Sequence, residues 1–367
     1  MVPAIALLVL LGASPPTRVV FDAHTHISPA ELERFHGILD EVGIAWTLNL
    51  SGYFPGGPLE TQLQAARASG RMLVAANLPW RAARSRPDFP ELAVALLERS
   101  QALGAVALKI EKALGLMVQK PDGSRLAVDD PWLDPVWQAA GRLGLPVVIH
   151  TADPKAFWEP INEKNERLEE LTAHPRWSNF GQPVPSFEAL LAELERVIAR
   201  HPGTTFVSVH FGNNAEDPAY VGRLLDRYPN LYVDLAARVP ELGRHDPALL
   251  RALFIKHEER ILFGTDLGVS DDDFLMLGSF GTEPNRREEV GPFFAAHYRW
   301  LETRDDQPSM TPIQGRWTIH GLGLPAQVLE SIYAKNALAL FGVPASHPPY
   351  WRLSRRPGST RPGDSLE

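Results

Sequence analysis

The chain has 367 residues, of which 44% are hydrophobic and 22% charged, a globular composition with enough apolar material for one large core. A formal net charge of −8 with no basic run argues against a nucleic-acid partner. With no cysteine, disulfides, thiolate metal sites and a cysteine nucleophile are all excluded.

At the N-terminus, residues 4–11 (AIALLVLL) form an apolar run too short to span a bilayer. It is shaped like the hydrophobic region of a secretory signal, with small residues after it. No Lys or Arg precedes it, however, and Pro15 is a poor neighbour for a cleavage point. A cytoplasmic and an exported chain both stay open, and so does a segment packed against the bottom of the fold. The expected organisation is therefore a signal-like segment at 1–16, one domain at 17–343 and a flexible Pro-, Ser-, Gly- and Arg-rich tail at 344–367.

Short β-rich runs then alternate with helical stretches, the pattern of βαβ units around a parallel sheet. Strands are expected at 19–21, 45–50, 72–76, 105–110, 146–150, 205–210, 231–234 and 261–264. Helices are expected at 31–41, 59–68, 90–103, 133–143, 221–228, 247–257 and 326–341. Eight units are the number that closes a TIM (β/α)8 barrel, so the fold class is α/β, a single barrel domain. Two connections exceed the usual two to six residues. One follows the fifth strand, from His150 to about Ser186, and carries a charged piece near Glu163 to Glu170 that reads as a solvated face. The other follows the eighth strand, from Asp266 to about Gly323. Both leave the C-terminal ends of strands, where barrel enzymes build their sites.

Chemistry-bearing residues collect at those same ends. In Phe21-Asp22-Ala23-His24-Thr25-His26, the two histidines are two residues apart and so share a face of an extended strand. His150 closes PVVIH, His210 closes TFVSVH, and Asp266 follows ILFGT. Taken singly, each histidine could be a hydrogen-bonded core residue and Asp266 a cap. On one barrel rim, all five would converge.

This set resembles the amidohydrolase superfamily, in the amidohydrolase-related branch that also contains aminocarboxymuconate-semialdehyde decarboxylase. The resemblance runs from Val19 to about Val343. It implies a single divalent metal, zinc first and manganese or iron as alternatives, held by His24, His26, His150 and Asp266. It places His210 beside the metal-activated water without being a ligand, with His210 and Asp266 moving protons. Lys109, ending the fourth strand, corresponds to a lysine that binuclear relatives carbamylate. It otherwise receives a substrate carboxylate or pairs with Glu111.

Arg238, after the seventh strand, either clamps a carboxylate or forms a surface ion pair. Asn213 and Asn214 could bind substrate or hold their loop, and Trp158, like Trp46 and Trp80, could wall a pocket or only pack. The expected activity is hydrolysis of a C–N or C–O bond in a small molecule. The alternatives are non-oxidative decarboxylation of an aromatic or unsaturated acid, and an inactive binding protein. No membrane span is expected, and a homodimer is the assembly considered.

Overall fold

A computed structural model describes residues 18–271 and 273–343, so the segment expected at 1–16 and the tail expected from Pro344 lie outside the described residues. Eight strands run parallel as neighbours in chain order. They are β1 (Phe21–Ile27), β2 (Trp46–Asn49), β3 (Met72–Ala76), β4 (Ala107–Ile110), β5 (Val147–Ile149), β6 (Phe206–Ser208), β7 (Leu231–Asp234) and β8 (Ile261–Leu262). Two more follow: β9 (Leu267–Val269) pairs parallel with β1, and β10 (Leu275–Leu277) pairs antiparallel with β9.

The sheet is strongly curled. β8 pairs with β7, and the chain then crosses through Phe263 to Asp266 and resumes as β9 on the far side of β1. Across that junction Ala23 N–H donates to Phe263 O and Asp266 N–H to His24 O, both at 2.9 Å. The eight strands fall where the hydrophobic runs predict them, although β1 extends six residues past Phe21 and so includes both histidines. Its register slips between Asp22 and Thr25, a bulge of the kind that re-aims side chains at strand ends.

Helices cover the outside, each held by an apolar face. Phe187–Arg200 buries Phe187, Leu190, Leu191, Leu194, Val197 and Ile198, at helical spacing, and Ser186 caps its start by accepting from Ala189 N–H. The connection after Asp266 is structured. It holds β9, β10, the helix Val290–Glu302 and a hairpin of Asp306–Pro308 with Thr318–His320. That helix opens Val-Gly-Pro, residues that read as breakers but are tolerated in a first turn, where N–H groups have no partner inside the helix. Between sheet and helices lies one extended core, including Phe35, Phe89, Trp137, Phe206, Phe254 and Trp300. A second cluster fills the inside of the sheet with Phe21, Ala75, Ala107, Val148, Val207 and Leu262, closed from below by Phe341. Among the described residues no helix is long and apolar enough to cross a membrane.

Candidate active site

The chain brings the five rim residues together. His24 Nε2 lies 3.4 Å and His26 Nε2 3.3 Å from Asp266 Oδ1. The His24 ring centroid is 5.4 Å from that of His26 and 5.0 Å from that of His210, and His210 is 4.5 Å from His150. Ligand atoms of His24, His210 and Asp266 all lie within 4.8 Å of one another. The family resemblance implies a place for His210 beside a metal without being a ligand, and the geometry gives it a donor atom as central as the others.

One aspartate organises this rim, and the sequence reading did not single it out. Asp234, at the end of β7, accepts from His24 Nδ1 at 2.8 Å through Oδ2 and from His210 N–H at 2.7 Å through Oδ1. Ala236 N–H bonds the same Oδ1 at 3.2 Å. Its signal was the one that exposed His150 and His210, a polar residue closing an apolar strand. Asp22 does similar work on the other side, accepting from His24 N–H and from both the backbone and hydroxyl of Thr265. Burial pushes the Asp22 carboxyl up to about 7, against the lowering effect of those bonds.

These bonds settle which ring nitrogens face inward. A carbonyl only accepts, so the 2.8 Å contact of His210 Nδ1 with Ala236 O makes Nδ1 the protonated nitrogen. Nε2 then carries a lone pair. His24 is fixed the same way by the Asp234 carboxylate. Burial holds His24, His150 and His210 below the ordinary histidine range, the last two well below it, which keeps the rings neutral. Burial would push the Asp266 carboxyl up, but His24 and His26 beside it outweigh burial and hold it well below the usual carboxylate range.

The backbone is strained where it presents these groups. His210, Phe211, Gly212 and Asn213 have φ of 54°, 52°, 69° and 56°, a left-handed turn directly after β6, and Asp266 has φ 62°. Non-glycine residues adopt this region at a cost of roughly 1–2 kcal/mol each, and such strain gathers at functional sites. Asn213 holds the turn in place: its Oδ1 accepts from Thr151 and Ala152 N–H, and its Nδ2 donates to Ser208 Oγ. Both ends of its side-chain amide are therefore bonded to the chain itself.

The donor set fits a divalent cation. Two ligands on one tetrahedral zinc, each about 2.0–2.1 Å from it, are about 3.3–3.4 Å apart, the spacing of His24 and His26 from Asp266. Neutral imidazoles and an ionised carboxylate are the forms that bind. His150 Nε2 is buried without a hydrogen-bond partner, a costly state that coordination would relieve.

A cavity of about 140 Å³ opens on the cluster, lined by His150, His210, Asp266 and Arg238 among others. Of the substrate-binding candidates, Arg238 faces this space. Lys109 is buried with Nζ lacking a hydrogen-bond partner, and burial pulls it down to about 8, but it does not line the cavity. Trp158 packs on Phe187 and donates to Pro185 O, and its neighbour Phe157 lines the cavity instead. The charged piece near Glu163 to Glu170 is not a solvated face throughout. Arg167 and Glu170 are buried, because Arg167 finds carboxylates on both sides, Glu170 at 2.7 Å and Glu241.

A family profile described as Amidohydrolase matches residues 21–343. Among solved structures, the uncharacterized TIM-barrel protein Bb4693 of Bordetella bronchiseptica superposes with a TM-score of 0.52 at 15% identity, covering 89% of this chain and 99% of that one. A dihydroxybenzoic acid decarboxylase of Polaromonas sp. JS666, solved with manganese and 2-nitroresorcinol, gives 0.52 at 14% identity, covering 89% and 97%. A 2,6-dihydroxybenzoate decarboxylase complexed with 2,6-dihydroxybenzoate gives 0.50 at 16%, covering 89% and 98%. At these identities the likeness is one of fold. No curated protein matches the sequence.

Proposed function

The chain belongs to the amidohydrolase family, and from that premise we propose that it is a metal-dependent hydrolase acting on a C–N or C–O bond of a small molecule. His24, His26, His150 and Asp266 hold one divalent cation, zinc first and manganese or iron as alternatives. The curled sheet is read as a closed (β/α)8 barrel in one domain, with the connections after β5 and β8 as the pocket's walls. A bound cation supplies Lewis acidity, polarising the substrate and lowering the pKa of water.

The chain's own residues do the rest. His210 Nε2 points its lone pair at the site and accepts a proton, while Ala236 O holds the opposite nitrogen and stabilises the ring once charged. Asp266, kept ionised, accepts a proton and passes it to the leaving group. Asp234 fixes His24 and the start of the turn that carries His210. The observation that carries this reading is the His210 Nδ1 to Ala236 O bond, because it leaves a base rather than a donor facing Asp266 and His24.

A second reading, non-oxidative decarboxylation, is favoured by one feature, the buried Arg238 guanidinium in the same cavity, which suits an acid substrate. Release of carbon dioxide without incorporation of solvent oxygen would select it over hydrolysis.

The test is His210→Ala, measured for metal content and turnover on substrates found by screening esters, lactones, amides and aromatic acids. Metal is retained and turnover falls about 10²–10⁴-fold if His210 is the base. Loss of metal in this variant would make His210 a ligand and overturn its assigned role.

A further inference from the structure

The rings of the strand-end cluster are held from behind by groups of different kinds. Behind His24 stands the Asp234 carboxylate, and behind His210 the Ala236 carbonyl, each 2.8 Å from Nδ1. A carboxylate and a carbonyl only accept, so both rings keep their proton on Nδ1. His26 differs. The Ser51 hydroxyl lies 2.8 Å from its Nδ1, and a hydroxyl can either donate or accept.

Ser51 is itself firmly held. Its N–H donates to Asn49 Oδ1 at 3.0 Å, and the N–H of Ile27, next to His26, donates to the same oxygen at 3.1 Å. Asn49, fully buried at the end of β2, returns Nδ2 bonds to Ile27 O at 3.0 Å and Gln62 Oε1 at 2.9 Å. Gln62, buried on the helix Leu59–Ser69, adds a 3.2 Å bond to Ile27 O. Two buried amides thus tie the strand carrying His26 to the residue behind its ring. The fold sets their spacing before any ligand arrives.

Asp266 gives a two-way hydroxyl its use. Its Oδ1 lies 3.4 Å from His24 Nε2 and 3.3 Å from His26 Nε2. With its proton on Nδ1, His24 turns a lone pair toward that oxygen. His210, with a ligand atom within 4.8 Å of both residues, brings another. Lone pairs gathered in this way repel, and either a cation among them or a proton from His26 relieves the repulsion. The His26 side chain is 33% exposed, so water reaches its ring.

We propose that Ser51 is the positioning residue of His26 and serves it as donor in one state and acceptor in the other. Without a cation, the Ser51 O–H donates to His26 Nδ1, and His26 Nε2–H donates to Asp266. When a cation arrives, the Nε2 proton passes to water, a proton from water adds to Nδ1, and the hydroxyl turns to accept from it. Nε2 then offers its lone pair. One proton leaves and one is taken up, so the charge of the ring is unchanged. His24 and His210 present lone pairs set in advance, and His26 is the ring that closes on Asp266 in the metal-free chain. The assignment rests on the reading of this cluster as a cation site.

The test is ring-nitrogen NMR on isotope-labelled protein, which tells a protonated ring nitrogen from a bare one. His26 is identified by the signals missing from His26→Asn. In the metal-free parent, His26 carries its proton on Nε2, and zinc moves it to Nδ1, while His24 and His210 carry theirs on Nδ1 throughout. Ser51→Asp, whose carboxylate only accepts, puts His26 in the Nδ1–H form without zinc. Ser51→Ala leaves the metal-free ring and the metal-free melting temperature unchanged. It weakens zinc binding about 10- to 100-fold, the scale for losing a group that orients a ligand. A merely structural serine would lower metal-free stability instead.

An Nδ1–H form of His26 in the metal-free parent would overturn the proposal, and so would unchanged zinc affinity in Ser51→Ala. If the parent binds no zinc, the cation reading fails, and the metal-free spectra still decide the role of Ser51. A tautomer that differs between the parent and Ser51→Asp upholds the two-way hydroxyl. The same tautomer in both rejects it.

Discussion

The two ends of the same eight strands are built from opposite materials. Inside the sheet and toward the start of the strands lie Phe21, Ala75, Ala107, Val207 and Leu262, with Phe341 stacked on Phe21 at a centroid distance of 5.9 Å. At the strand ends stand His24, His26, His150, His210, Asp234 and Asp266, polar groups in or near the interior: Asp234 bonds His24 and the His210 N–H, His210 bonds Ala236 O, and His26 bonds Ser51 Oγ. The apolar end contributes roughly 1.5–3 kcal/mol for each fully buried large side chain. The polar end costs stability, through desolvation of its groups and the left-handed backbone at His210, Phe211, Asn213, Ala237 and Asp266. Stability and chemistry therefore sit at different levels of one sheet and should respond separately to substitution.

The largest expected effect on stability comes from the apolar end. Phe21→Ala should lower unfolding free energy by about 3–5 kcal/mol, since it empties a fully buried ring site. Denaturant unfolding measures this, and metal per folded chain should not change. A fall in metal content at full folding would mean that the two ends are not separable.

Acid sharpens the same contrast behind the sheet. His297, packed against Phe263 and Phe293, is held at about 4 by burial. Its folded pKa lies below the unfolded value near 6.5, so the unfolded chain binds more protons between those two pH values. Stability is complete above pH 6.5 and falls as pH drops toward 4, by about 3 kcal/mol for this one residue. In metal-free protein, the stability difference between the parent and His297→Phe should follow that window. A difference independent of pH would place the titration elsewhere.

The smallest effect should come from Asp234→Asn at the polar end. Losing the carboxylate behind His24 should weaken metal affinity about 10- to 100-fold with little change in melting temperature. A competition titration against a chelator reads this directly. Destabilisation comparable to that of Phe21→Ala would show that the rim also carries the fold.

Sequence alone made the strand ends legible because each polar residue there closes a hydrophobic run of strand length. His24, His26, His150, His210 and Asp266 all follow that rule. Asp234 follows it too, and was passed over only because Leu231-Tyr232-Val233-Asp234 lacks a histidine. The cavity wall was less legible. Arg167 and Glu170 read as a solvated pair, since the partner that makes their burial tolerable, Glu241, arrives from the far side of β7. β9 and β10 were hidden by their three-residue length and by the left-handed residues Asp266 and Gly278 beside them. Such pieces are fixed by tertiary pairing with β1, which no local pattern announces.

The central claim is that the strand-end side chains together hold one cation. Equilibrium dialysis against zinc, followed by elemental analysis, tests it on the parent protein and on Asp266→Ala. One ion per parent chain, and almost none in a variant that still folds, is the predicted result. The same metal content in both proteins, or none in either, would contradict it.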